Sequence, residues 1–289
     1  MNHDPFIVSP GSKISLLKDY NPAYKDDVLE KSDGKKKFKT EIEQLAIYQH
    51  ILYAQNTHAV LILFQAMDAA GKDSTIKHVM SGINPQGCQV FSFKMPSTEE
   101  LDHDYLWRSV KALPERGRIG IFNRSYYEEL LIVRVHPEIL AKQNLPLIPE
   151  NNQIWQQRFE EINNFEKYLT NNGVVILKFF LNVSKEKQKE RFLERIATPE
   201  KHWKFSLSDV RERAFWDDYM EAYEQVFNHT STEWAPWYII PADTKWFTRL
   251  VVANIIRKKL QELNLQYPQV SEQHRQRLLQ AKEVLEAEE

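Results

Sequence analysis

The sequence predicts an α/β protein: a parallel, doubly wound sheet of five strands flanked by helices. Three observations carry that prediction. Five short apolar runs alternate with helical stretches along most of the chain. The first run, 59–64, leads directly into AMDAAGKDST, a tight turn of small residues that opens a helix. The 289 residues are 42% hydrophobic and 12% aromatic, enough to build a sizeable core.

Residues 1–36 carry scattered Pro, Gly and charge and read as an irregular arm lying on the surface. Phe38, Ile42, Leu45 and Leu52 recur at helical spacing, so 37–55 reads as an amphipathic helix. KKKFK at 35–39 reads as its solvated start, nucleic-acid or membrane contact being the rarer use of such a run. Strands are expected at 59–64, 88–93, 118–123, 174–183 and 237–241, each followed by polar or turn residues. Helices are expected at 71–81, 99–113, 151–171, 185–197, 208–228 and 245–263. Residues 37–268 thus form the α/β domain, and 269–289 a polar helical tail. Trp216, Tyr219, Tyr223, Phe227, Trp234, Trp237 and Trp246 read as core packing, with Phe215, Tyr219, Tyr223 and Phe227 close to helical spacing.

Composition narrows the function. Lys and Arg number 38 against 40 Asp and Glu, so no global basic field for nucleic acid exists. The N-terminus lacks the pattern of a secretory signal, and no apolar run approaches the length of a membrane span. Cys88 is alone, which rules out an internal disulfide and a cysteine metal cluster; it reads as a small buried apolar residue. Nine histidines occur without H-E-x-x-H, and there is no G-x-S-x-G, which argues against a zinc enzyme and an α/β-hydrolase. A reducing, cytoplasmic setting without membrane or nucleic-acid partners is expected.

The turn after the first strand points to phosphate. Small residues at Ala69, Ala70 and Gly71 let backbone amides turn inward, a helix start adds partial positive charge, and Lys72 adds a full one. The fit to G-x-x-x-x-G-K-[ST] is imperfect: Ala66 takes the first Gly position, and Asp73 takes the Ser/Thr position, with Ser74 one place later. Ala66 is tolerated if its φ is negative and strained otherwise. Asp68 and Asp73 make the loop acidic, so Asp68 is the candidate metal ligand. A second strand end, IGIFNRSYYEE, brings Asn123, Arg124 and Glu128. Arg124 could clamp a phosphate bidentately, and Asn123 and Glu128 could help hold the metal. Ser125 with Glu128 three residues on also resembles a capping box. Lys77, and Lys94 and Arg108 after the second strand, could reach phosphate or be surface charges.

The third group is a lid over about 185–213. Across 185–216, nine basic residues face six acidic ones, a local excess of three. Arg191 and Arg195 share one helical face, Pro199 breaks the helix, and Lys204 and Arg211 follow. Two helices joined by a basic turn suit a lid that closes over phosphates, with Trp203 and Phe205 buried.

Together, AMDAAGKDSTIKH, NPQGCQVFSFKMPS, IGIFNRSYYEE and WKFS followed by DVRERAFWDDY resemble the second polyphosphate kinase family. The resemblance spans about 37–265 and implies a three-layer P-loop kinase-like fold with a helical lid. It implies phosphoryl transfer from inorganic polyphosphate to nucleotides, directly and in line, with Mg²⁺ or alternatively Mn²⁺. Asp68 and Lys72 are then expected to be essential. Relatives that act on one nucleotide class often carry Asp at position 123. Asn123 with Glu128 resembles the subgroup that accepts both nucleoside mono- and diphosphates, and a homodimer or tetramer is expected. The competing readings are an ATP-using nucleoside monophosphate kinase and a non-catalytic polyphosphate or nucleotide binder.

Overall fold

A strand that is apolar at every position must be covered on both faces. AVLILFQ meets that condition: β1 (Ala59–Gln65) is buried along its whole length. The computed structural model describes residues 1–26, 29–143, 145–146 and 153–288. In it β1 joins β2 (Cys88–Ser92), β3 (Ile119–Asn123), β4 (Val174–Asn182) and β5 (Trp237–Pro241) in one sheet of order β2-β3-β1-β4-β5. Every pairing is parallel; β1 runs beside β3 from Val60↔Ile119 to Phe64↔Asn123, and beside β4 from Ala59↔Val174 to Gln65↔Phe180. Each strand lies within one residue of its expected position. The chain lays β2 and β3 on one side of β1, then crosses to lay β4 and β5 on the other. Ligands of such sheets sit at the carboxyl ends of the strands, where that order switches.

The main helices are α1 (Lys31–Gln55), α2 (Lys72–Val79), α3 (Gln153–Asn171), α4 (Lys185–Ala197), α5 (Leu207–Glu212), α6 (Trp216–Thr230), α7 (Lys245–Glu262) and α8 (Glu272–Glu286). Residues 151 and 152, expected at the start of α3, lie outside the described residues.

Several expectations are corrected. The arm does not merely lie on the surface: Phe6, Val8 and Leu16 are buried in the core. Val8 N donates to Trp237 O (2.9 Å) and Ile239 N to Phe6 O (2.7 Å), so the arm covers the free edge of β5. Helix α1 starts at Lys31 rather than 37, which places KKKFK inside it. Its first turn packs against α7 through Gly34, where a Cβ would lie 2.3 Å from a Trp246 ring carbon. The expected helix 99–113 is two short pieces, Thr98–Leu101 and Trp107–Lys111. Asp104 Oδ1 accepts from Leu106 N (2.9 Å), an Asx turn that competes with helix between them. The expected helix 208–228 is likewise broken by a 3₁₀ turn at Arg213–Phe215. There Phe215 is partly exposed, while Tyr219, Tyr223 and Phe227 are buried as their spacing requires. Trp234 is also partly exposed, and Trp246 packs against the core without being fully buried. Cys88 is half-buried on edge strand β2, and burial pushes its thiol up to about 11. Trp203, expected inside, is 79% exposed. Helix α8 has no buried residue. No described helix is long and apolar enough to cross a membrane.

Candidate active site

The loop after β1 is shaped by two unusual backbone conformations and one lysine. Ala69 (φ 59°) and Gly71 (φ 107°) adopt left-handed conformations that reverse the chain before α2. For Gly71 this is cheap; for Ala69 it stores strain of about 1 kcal/mol. Ala66 is not among the residues with positive φ, so its departure from Gly carries no such strain. Lys72, the first residue of α2, reaches back across the loop and donates from Nζ to Ala66 O (2.7 Å). Burial lowers its pKa, and the nearby charge of Asp68 opposes that.

The end of β3 faces this loop. Arg124 is the third left-handed residue (φ 63°), its N donating to Phe64 O (3.0 Å). This bend sends its guanidinium to Asp68, Nη2 lying 3.1 Å from Oδ1. Glu128 stands close enough that its charge is the largest influence raising the Arg124 pKa. Asn123 Nδ2 donates to Asp73 Oδ1 (2.7 Å). This contact explains two departures at once. A carboxylate at 73 is matched by an amide at 123, where a second carboxylate would be repelled.

The expected capping box at Ser125 does not form; Ser125 Oγ accepts from Tyr127 N (3.2 Å) at the start of a 3₁₀ turn, Tyr126–Leu130. That turn is anchored from below. Tyr126 and Tyr127 hydroxyls each donate to Glu166 Oε1 (2.9 Å), and Lys178 Nζ contacts Glu166 Oε2 (2.6 Å), Tyr127 Oη (2.9 Å) and Thr230 O (2.7 Å). Both Lys178 and Glu166 are fully buried, with every ammonium donor used. The Asn123-Arg124 corner is therefore held by α3, β4 and α6.

The segment 185–213, expected as a lid, completes the arrangement. After α4 a 3₁₀ turn, Pro199–Lys204, leads into α5. A cleft of about 550 Å³ lies between lid, loop and strand ends, lined by Met67 to Ser74, Ser92, Phe93, Lys94, Asn123, Arg124, Arg195, Trp203, Lys204 and Asp209. Arg195 Nη1 lies 3.9 Å from Asp209 Oδ2. Burial, then the charge of Asp68, raises the Asp209 carboxyl above its usual range.

Of the residues expected at the site, Asp68, Ala69, Ala70, Gly71, Lys72, Asp73, Ser74, Lys94, Asn123, Arg124, Arg195 and Lys204 line this cleft. Five expected residues do not. Glu128 is half-buried and acts on Arg124 through its charge. Lys77 is exposed in the last turn of α2. Arg108 Nη1 is spent on Lys94 O (2.8 Å). Arg211 is exposed on α5. Arg191 is buried, its guanidinium committed to backbone carbonyls. Sequence reasoning missed Asp209, an acid hidden in a basic segment. It also missed Phe93, Gln188 and Arg249, whose Nη2 donates to Ser74 Oγ (2.8 Å). Arg249 sits mid-helix with no local pattern to mark it.

The family model for polyphosphate kinase 2 matches residues 28–268. The chain belongs to the polyphosphate kinase 2 family. It is 51% identical to an ADP-polyphosphate phosphotransferase of Rhodopseudomonas palustris, with 97% of each chain covered. It is 43% identical to an AMP/ADP-polyphosphate phosphotransferase of Meiothermus ruber, over 91% of this chain and 95% of that one. The crystal structure of polyphosphate kinase 2 from Arthrobacter aurescens TC1 superposes with a TM-score of 0.85 at 38% identity, covering 95% of both chains. The polyphosphate kinase 2 fold thus accounts for the five-stranded parallel sheet.

The donor set fits a metal carried in with phosphate. Among the described residues no three His, Cys, Asp or Glu side chains converge as a cage. Mg²⁺ needs none, since it is commonly held by one or two carboxylates together with substrate phosphates. Asp68 and Asp209 line one cleft, and the charge of Glu128 is felt at Arg124.

Proposed function

We propose that this polyphosphate kinase 2 family member transfers a phosphoryl group between inorganic polyphosphate and nucleoside mono- and diphosphates, AMP to ADP and ADP to ATP, with guanine nucleotides also accepted. One observation carries the reading: five cations, Lys72, Lys94, Arg124, Arg195 and Lys204, line one cleft together with a phosphate loop. A linear polyanion and a nucleotide's phosphates both need such a row.

The chain's residues then have definite tasks. Amides of the loop and of the first turn of α2 cradle the phosphates at the transfer site. Lys72 exchanges its bond to Ala66 O for a phosphate oxygen, and Arg124 neutralises charge opposite it. Arg195 and Lys204 bring lid charge onto the chain of phosphates and exclude water. Asp68, with Glu128 and Asn123 near, would hold Mg²⁺ or Mn²⁺, which would supply charge neutralisation at the phosphates. The transfer needs no protein nucleophile, and among the described residues no histidine lines the cleft, which supports direct in-line transfer. The neutral Asn123, bonded to Asp73, supports acceptance of both mono- and diphosphates, as the resemblance implies. We place the reaction in the cytoplasm and in a homo-oligomer, without membrane or nucleic acid.

The test supplies AMP or ADP with long-chain polyphosphate and Mg²⁺, with no nucleoside triphosphate present. New ADP from AMP and new ATP from ADP are expected. Turnover of AMP only when ATP is added would instead identify an ATP-using monophosphate kinase. Binding of both ligands without turnover at any metal concentration would identify a non-catalytic binder.

A further inference from the structure

We infer that Gln188 and Arg191, on the first helix of the lid, are positioning residues that set the phosphate loop's amides toward the cleft. Arg191 was expected on sequence grounds to meet phosphate itself; its geometry assigns it a different task. Gln188 Nε2 donates to Asp68 O (2.8 Å). Arg191 Nη1 donates to Ala69 O (3.0 Å) and Ala70 O (2.7 Å). Three consecutive loop carbonyls are therefore drawn toward α4. Arg191 Nη2 donates to Ala242 O (2.6 Å) and Asp243 O (3.2 Å), which staples the loop after β1 to the loop after β5. Both side chains are buried, at 1% and 5% exposure, so neither can swing out to a polyanion without breaking these bonds.

The consequence follows from the peptide plane. In a trans peptide the carbonyl of one residue and the amide hydrogen of the next point in opposite directions. Drawing the Asp68 and Ala70 carbonyls toward α4 turns the Ala69 and Gly71 amides away from it, on residues that line the cleft. The intervening Ala70 N bonds within the turn to Met67 O (3.3 Å). The same grip holds the left-handed φ of Ala69, a conformation that persists only where its surroundings over-determine it. Gln188 is in turn oriented by Arg213, whose Nη1 contacts Gln188 Oε1 (2.5 Å) and Lys185 O (3.0 Å). Arg213 ends the lid, so the far end of the lid and the loop share one hydrogen-bonded chain.

This inference rests on the cleft being a phosphate site, and its test has one arm that needs no substrate. Gln188→Ala and Arg191→Lys are compared with the native protein by amide hydrogen exchange and steady-state kinetics. Exchange is read on peptides covering the loop at 66–74. In both variants, exchange of the loop is expected to quicken at least tenfold, while that of β4 and α7 is unchanged. The kcat with ADP and polyphosphate is expected to fall by about 10²-fold, the scale of a misplaced reacting geometry. KM for ADP should stay within about twofold, because the nucleotide-facing side chains are untouched. Unchanged loop exchange, or faster exchange with unchanged kcat, overturns the assignment. So does a loss confined to the KM for polyphosphate in Arg191→Lys, which would make Arg191 a direct phosphate contact. A native protein without polyphosphate-dependent turnover would sink the proposed reaction and leave the exchange arm to decide the clamp.

Discussion

At the scale of single residues, charge in this cleft is arranged in matched pairs. Asp68 meets Arg124, Asp73 meets Asn123, and Lys72 rests on a loop carbonyl. Lys72→Ala removes the one ammonium inside the loop and should lower kcat by about 10²–10³-fold, the size of losing one preorganised charge donor. Circular dichroism should show an intact fold. Asn123→Asp would replace the Nδ2–Oδ1 hydrogen bond with two opposed carboxylates. The variant should lose activity, and Asp73→Asn added to it should restore it; steady-state kinetics reads both. Asp209 gives a signed stability effect. Its folded pKa is raised, so its ionised form costs stability once pH exceeds the usual carboxylate value of about 4. Asp209→Asn should therefore melt higher than the native protein at pH 7.5, and the gap should close as pH falls toward that value.

At the scale of elements, the structure was most legible where periodicity was strong and least where side chains bond their own backbone. The five strands stood out because each is a short apolar run ended by turn residues. The 99–113 break was invisible because Asp104 reads as an ordinary helix-surface acid until its Asx turn is seen. The arm's role was hidden for another reason. Phe6 and Val8 show no period in so irregular a segment, yet they cover the edge of β5. Of the candidate site, the loop, strand end and lid were legible as motifs. The opposed tasks of Arg191 and Arg195 were not, because helical spacing places both on one face without saying which is under the loop. The buried Lys178–Glu166 pair was also unreadable, since its members lie on different elements, β4 and α3, that meet only through packing. Lys178→Met should cost about 3–5 kcal/mol in denaturant unfolding by leaving Glu166 unpaired. Replacing both partners, as Lys178→Met with Glu166→Leu, should recover most of that stability. Gly34→Ala tests the contact between α1 and α7: its methyl meets the Trp246 ring, and a loss of about 1–3 kcal/mol is expected from overpacking.

At the scale of the whole molecule, the sheet sets the cleft at its strand ends, and α4, α5 and the turn between them complete its lining. The carboxyl ends of β1 and β3 present the loop and Arg124, and the lid adds Arg195, Lys204, Asp209 and the exposed Trp203. With a net formal charge of −2, the molecule has no global field to gather a polyanion, so the cleft's own cations must do it. Raising ionic strength should therefore raise the KM for polyphosphate more steeply than that for AMP. The central claim is that the phosphoryl donor is polyphosphate. It is tested most directly by ³¹P NMR of the native protein with ADP, Mg²⁺ and polyphosphate, no triphosphate being added. Growth of the ATP γ-phosphate signal with matching loss of internal polyphosphate signal is the predicted result. An unchanged spectrum, with the same sample active once ATP and AMP are supplied, would contradict it.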